Sequence, residues 1–302
     1  VQDGDTLQRF IFENFPVRGY LVYLGASWRA LIEHHPYPEV VRNALGEAVA
    51  ATMLLSATVK YEGTLTLQVQ GPGPMHLLVV QATERRAVRG VARWRGEIKA
   101  SSLPELSGEG KMTVTVENSD HTSRYQGIIP ITGTTLAESF EEYFRSSEQL
   151  PTKLWLATNG DGAAGLLLQR LPSGSRASAE ENEDIAAEGD EDWSRVVQLA
   201  ATLTPAELMG LTSVEFLHRL FHEEDVRLHE PDPVFFQCTC SRERVTNIVR
   251  SLGSVEAAEI LAERDCVEII CEFCNRAWRF DAVDVASIFV RADLATVPKV
   301  IQ

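Results

Sequence analysis

Two short stretches, QCTCSR at 237–242 and CEFCNR at 271–276, hold four of the chain's five cysteines, and 30 residues separate Cys240 from Cys271. Thiolates are soft ligands, and zinc takes four of them tetrahedrally at about 2.3 Å each. Cys238, Cys240, Cys271 and Cys274 are therefore expected to hold one Zn2+ and so tie two distant points of the last quarter of the chain together. The CxC half is tighter than the usual zinc spacing of about two to four intervening residues. The CxxC half is followed by NRAWRF, a turn and then a short strand, as in zinc knuckles and ribbons. Four thiolates on the metal leave no open position for a water molecule, which argues against a zinc hydrolase. A CxxC can also be a redox pair, but no thioredoxin-like βαβ pattern precedes Cys271. The fifth cysteine, Cys266 in RDCVEIIC, reads as a small buried residue of a strand, with an extra reactive thiol as the alternative.

The rest of the composition narrows the class. At 302 residues, 44% hydrophobic and 24% charged, the chain can bury a sizeable core as one large domain or two smaller ones. A formal net charge of −15 repels phosphate backbones and makes nucleic acid a poor partner. A zinc-containing nucleic-acid or ribosome-binding module would have to use Arg242, Arg244 and Arg250 against that charge. The first residues show no basic segment followed by an apolar one, and no run reaches the roughly 18 apolar residues of a membrane span. The expectation is a cytoplasmic protein, where thiols stay reduced. An odd number of cysteines also fits a static disulfide framework poorly.

Along the chain, residues 1–172 read as a mixed α/β core with an antiparallel-rich sheet, an α+β arrangement rather than a doubly wound one. RGYLVYLG (18–25) reads as a strand and 38–59 as a helix buried over much of its surface. GTLTLQVQG (63–71) alternates Leu65, Leu67 and Val69 inward against threonine and glutamine. MHLLVVQA, KMTVTVEN and YQGIIPI add strands. Thr135 and Glu138 form a capping box ahead of Phe140, Tyr143 and Phe144. KLWLAT, NGDG and AAGLLLQRL read as strand, tight turn and strand.

From 173 the composition changes. Glu180, Glu181, Glu183, Asp184, Glu188, Asp190, Glu191 and Asp192 crowd a stretch with little apolar content, which reads as a boundary loop. Short amphipathic helices follow. One carries Thr204, Pro205 and Glu207 as a start signal, and another places Val214, Leu217, Leu220 and Phe221 on one face. Residues 173–233 thus form an acidic loop and helical linker, and 234–302 a zinc-binding module.

Other motifs carry less. Gly160-x-Gly162-x-x-Gly165 follows a strand, but what comes next is too strand-like for a dinucleotide site, so a hairpin turn is expected. SGEGKMT has Met112 where a phosphate loop needs serine or threonine. His218 and His222 share a helical spacing but lack the zinc-hydrolase pattern, and read as solvated.

The cysteine pattern, together with LGEAVAATMLLSATVKYEGTLTLQVQGPGP, VTVENSDHTSRYQGIIPI, EEYFRSSEQLPT, AAGLLLQRLP and VEIICEFCNRAWRF, resembles the redox-regulated holdase chaperones of the 33-kDa heat-shock protein family. The resemblance covers nearly the whole chain; Cys266 is the one departure from a four-cysteine motif. It implies an α/β core, a helical linker packed on it and a zinc module, and a function without an enzymatic reaction. The reduced, zinc-bound form would be dormant. Oxidation would form disulfides Cys238–Cys240 and Cys271–Cys274, release zinc and unfold module and linker, and the protein would then bind unfolding clients, dimerising when active. The competing classes are the nucleic-acid module above and a thiol oxidoreductase using Cys271 and Cys274.

Overall fold

The computed structural model describes residues 4–100, 102–120, 123–172 and 179–295; side chains within 179–189 and 291–295 lie outside the description. The chain divides into two compact units, Val1–Gln237 and Cys238–Gln302.

In chain order the first unit contains β1 (Thr6–Phe12), β2 (Val17–Leu24), α1 (Ala26–Ile32), α2 (Glu39–Thr58), β3 (Gly63–Gln70), β4 (Met75–Thr83), β5 (Ala87–Trp94), α3 (Leu103–Ser107), β6 (Lys111–Asn118) and β7 (Arg124–Pro130). It continues with α4 (Leu136–Tyr143), a π turn (Phe144–Glu148), β8 (Thr152–Thr158), β9 (Ala163–Arg170), α5 (Ala179–Ala200), α6 (Pro205–Gly210), α7 (Ser213–Phe221), β10 (Val226–Leu228), β11 (Asp232–Pro233) and β12 (Phe235–Phe236). The second unit holds α8 (Arg242–Leu252), α9 (Ser254–Arg264), β13 (Val267–Ile270), β14 (Ala277–Phe280) and α10 (Ala282–Ala295).

Two six-stranded sheets make the first unit: β10-β1-β2-β9-β8 with β11 beside β1, and β12-β5-β4-β3-β6-β7. Pairing is antiparallel except where β12 runs parallel to β5. The alternation expected in β3 is present, with Leu65, Leu67 and Val69 buried. Helix α2 lies between the sheets, which explains why it is buried on so much of its surface: Val41, Leu45, Met53 and Leu54 join residues of both sheets in one core. Helix and β8 approach closely at Gly46, where a Cβ would sit 2.2 Å from Thr158 Oγ1, so only glycine fits there. Helix α1 has no cap of its own; the distant carboxylate of Asp5 accepts from the N–H groups of Gly25 (2.6 Å), Ala26 (2.9 Å) and Ser27 (2.5 Å).

The opposite face of the first sheet is apolar too. Phe10, Phe12, Leu21, Leu166 and Leu168 point away from α2 and are covered by Val196 and Ala200 of α5, Leu208 of α6, and Phe216, Leu217, Leu220 and Phe221 of α7. Phe10 lies over Gly19, where a Cβ would come within 2.0 Å of its ring. Phe221 meets Phe12 edge-on at 5.2 Å between centroids.

Three local expectations change here. The acidic stretch is not a loop where it is described: 179–200 is helix, although Glu180, Glu181, Glu183, Asp184 and Glu188 have side chains outside the described residues. Alanine and glutamate favour helix, and that propensity outweighs the charge-based reading. Asp190 pairs with Arg170, and Asp192 with Arg195 at 2.9 Å. Val214 is 67% exposed while Phe216 is 2% exposed, because α7 starts at Ser213 and its first turn points outward. Residues 235–237 extend the second sheet, with Gln237 N–H donating to Val88 O at 3.1 Å. The glycines at 160–165 do form a hairpin turn, in which Asn159 Oδ1 accepts from the N–H groups of Asp161 (2.8 Å) and Gly162 (2.9 Å).

No helix among the described residues is long and apolar enough to cross a membrane.

Candidate metal centre

The second unit is built around its sulfurs. Its apolar core is small, consisting mainly of Val245, Val249, Ala257, Val267, Trp278, Phe280, Val285 and Ile288. Cys238 and Cys240 occupy the extended segment just before α8, whose N-cap Ser241 accepts from Arg244 N–H at 3.2 Å. Cys271 follows β13, and Cys274 lies in the turn that leads to β14. That turn closes by backbone bonds from Cys271 N–H to Arg276 O (2.9 Å) and from Asn275 N–H to Cys271 O (2.8 Å). Asn275 sits at φ 56°, a left-handed conformation that asparagine tolerates better than most residues.

The four Sγ atoms of Cys238, Cys240, Cys271 and Cys274 all lie within 4.8 Å of one another. Cys238 and Cys271 are 3.6 Å apart, and Cys240 and Cys274 are 3.5 Å apart. A tetrahedron with metal–sulfur bonds of about 2.3 Å has edges of about 3.8 Å. The donor set therefore fits a thiophilic tetrahedral ion, and these four residues could hold one.

Protonation points the same way. Burial pushes the Cys240 and Cys274 thiols up. Cys238 is desolvated as well, but hydrogen bonds from the Cys240 backbone N–H and then from Cys274, Cys240 and Cys271 outweigh this, and its pKa is lowered. Of these three sulfurs Cys238 is the one whose ionisation the surroundings favour. Four thiolates so close together need a cation between them, because like charges at this range oppose joint ionisation.

Among the described residues no other group of histidine, cysteine or acidic side chains is gathered closely enough to hold an ion. His218 and His222 do face each other, at 5.9 Å between rings, but both are exposed. Cys266 stands outside the cluster and just before β13, half-buried, rather than within the strand. The arginines of the nucleic-acid reading are engaged locally. Arg242 pairs with Asp284 at 2.8 Å and covers the Phe280 ring; Arg244 donates to Thr239 Oγ1 (2.8 Å) and Arg250 to Asn247 Oδ1 (2.5 Å). Spacing alone did not single out Ser241 and Asn275, which set the two cysteine loops, although a serine before a helix and an asparagine in a tight turn are readable signals.

Comparison with known proteins bears on the fold and the family. A family model described as Hsp33 protein matches residues 5–281. The 33 kDa chaperonin of Nitrosococcus oceani is 46% identical over 289 residues, covering 96% of each chain. That of Methylobacillus flagellatus is 43% identical over 290 residues, again covering 96% of each. Among solved structures, the 33 kDa chaperonin of Thermotoga maritima superposes with a TM-score of 0.77 at 20% identity, covering 95% of this chain and 99% of that one, so the α+β fold is shared. With a match across both units, cysteine cluster included, the chain belongs to the Hsp33 family.

Proposed function

We propose that this chain is a redox-regulated holdase chaperone of the cytoplasm, dormant when reduced and active when oxidised. The observation that carries the reading is the convergence of four cysteine sulfurs within 4.8 Å in a unit with a small apolar core. The names of the relatives support the chaperone class. Residues 1–172 form the core that binds clients and dimerises, 173–237 the linker, and 238–302 the redox switch, since 235–237 extend the second sheet.

Cys238, Cys240, Cys271 and Cys274 would hold one Zn2+ per chain, which when bound keeps the sulfurs as thiolates and pins the two loops together. A thiolate attacks the O–O bond of a peroxide, becoming a sulfenic acid and releasing hydroxide. A neighbouring thiol then displaces that oxygen as water and forms a disulfide. The pairs that the family resemblance implies are Cys238–Cys240 and Cys271–Cys274, each close in sequence, and all four sulfurs lie within 4.8 Å of one another. Each disulfide removes two sulfurs from the ligand set, so the site can no longer hold its ion.

The linker is poised to follow. Helices α6 and α7 are only 6 and 9 residues long. Isolated helices below about 12–15 residues are marginal in water, so these depend on docking. Their detachment uncovers Phe10, Phe12, Leu166 and Leu168 on the sheet as well as Phe216 and Leu220 on the helices. An exposed apolar surface of that kind binds unfolding proteins. The net charge of −15 keeps the opened form dispersed. Nothing in this sequence of events turns over a substrate, so action is stoichiometric.

The test is light scattering from a thermally unfolding client, with the protein treated by peroxide or by reductant. Suppression by the oxidised form alone is expected; equal suppression by both forms would sink the reading. Catalytic turnover of substrate disulfides would favour an oxidoreductase instead.

A further inference from the structure

We propose that the first unit contains a binding site for a compact amphiphile with an anionic head and an aliphatic body, a medium-chain carboxylate being its simplest member. A cavity of about 380 Å3 opens between the end of α2, strands β6 and β7, α4 and the π turn. Small-ligand sites typically span about 300–1,000 Å3. Its walls are apolar and include Leu55, Leu65, Val114, Ile129, Phe140 and Phe144. The π turn Phe144–Glu148 supplies part of the wall, and such irregular turns occur often at functional sites.

One wall residue is a fixed cation. Arg18 lies on the face of β2 that carries Tyr20 and Val22 toward α2. Its Nε and Nη2 donate to Gln169 Oε1 at 3.1 and 2.6 Å, and Gln169 Nε2 donates in turn to Thr152 Oγ1 at 2.9 Å. Gln169 is 1% exposed, so this relay holds the guanidinium in place. Among the described residues Arg18 has no carboxylate partner, and its Nη1 makes no hydrogen bond. A guanidinium cannot lose its charge in a protein. A permanent cation is therefore oriented by a neutral amide beside an apolar cavity, with donors left over. A carboxylate head takes those donors, and the aliphatic body takes the walls. Glu148, the only acidic residue of the lining, is exposed and accepts from Tyr143 Oη at 3.0 Å. Tyr125 lies beside that pair, 3.4 Å from Tyr143 between hydroxyls, which gives the cavity a polar rim.

The experiment is calorimetric titration of decanoate, decanol and decylamine, each below its micelle threshold, into the full-length reduced protein. Decanoate is expected to bind saturably at one site per chain and at least about tenfold more tightly than the other two, the usual weight of a charge-assisted hydrogen bond. Arg18→Gln should remove that preference. Val59, 47% exposed in the lining, allows Val59→Trp to fill the cavity from outside the core, and this variant should weaken decanoate about tenfold or more. Equal affinity for the three head groups, non-saturating uptake at many sites, or full affinity in Val59→Trp would each overturn the proposal. Should Arg18→Gln fail to fold, the head-group series and Val59→Trp decide. No oxidant or client enters this titration, so its outcome is independent of the chaperone reading.

Discussion

Glu47 sets a residue-scale problem on the central helix. It faces a cavity of about 290 Å3 walled by Ala44, Val69, Leu78 and Leu106, and no hydrogen-bond partner is found for it among the described residues. Burial pushes its carboxyl up to about 7 from 4.5. The folded state thus holds a proton there that the unfolded chain has already lost. The associated stability is fully present below about pH 4.5 and is lost as pH rises through about 7. Glu47→Gln removes the titration. Thermal melts between pH 5 and 8 should fall more steeply for the natural protein than for the variant. At pH 8 the variant should be the more stable, by up to about 3 kcal/mol at about 1.36 kcal/mol per pKa unit. Parallel pH curves, or a variant that is weaker at pH 8, would show that Glu47 ionises freely in the fold. Cys266 poses a simpler case. Since it lies outside the cluster, Cys266→Ser should leave metal content unchanged, whereas Cys274→Ser should abolish it, as read by a colorimetric zinc assay.

Among the elements, α7 shows how docking replaces intrinsic stability. Thr212 and Glu215 make a reciprocal capping box, and four apolar side chains face the sheet. Phe216→Ala should cost about 3–5 kcal/mol, the usual range for deleting a buried aromatic side chain. A helix of 9 residues cannot absorb that loss alone. The reduced variant should therefore suppress client aggregation without oxidant in the light-scattering assay; silence under reductant would mean that α7 is not the retaining element. Much at this scale is legible in the sequence. β3 was readable because one of its faces is polar, and the caps at Thr135 and Thr204 because their signals are local. The same local signal at Thr212 starts α7 and thereby turns Phe216 inward. What could not be read is non-local: β12 pairing with β5, Asp5 capping α1, and α2 lying between two sheets rather than against one. Of the cysteine site, the grouping of four sulfurs that could hold an ion followed from spacing, while the nearest approaches, Cys238 to Cys271 and Cys240 to Cys274, depend on how two loops fold together.

Taken as a whole, the molecule joins two units with very different means of staying folded. The first has large apolar cores on both faces of a sheet. The second has a single small cluster and two paired strands of 4 residues each. Below about 70–80 residues a single core rarely supplies more than about 3–5 kcal/mol. Bound zinc contributes about 10–16 kcal/mol in finger peptides, more than such a core can replace. Stripping the ion should therefore unfold the second unit and leave the first intact. Amide hydrogen exchange, with a strong chelator and reductant present, is the appropriate measurement. Protection in α8 and along the β13–β14 ladder should fall to that of free chain, while α2 and β9 keep theirs. Restoring zinc should restore protection, because a ligand that binds only the folded form pulls the folding equilibrium toward it. Persistent protection of α8 after complete metal removal would mean that the small core suffices alone, and oxidation of the four cysteines would then have nothing to release.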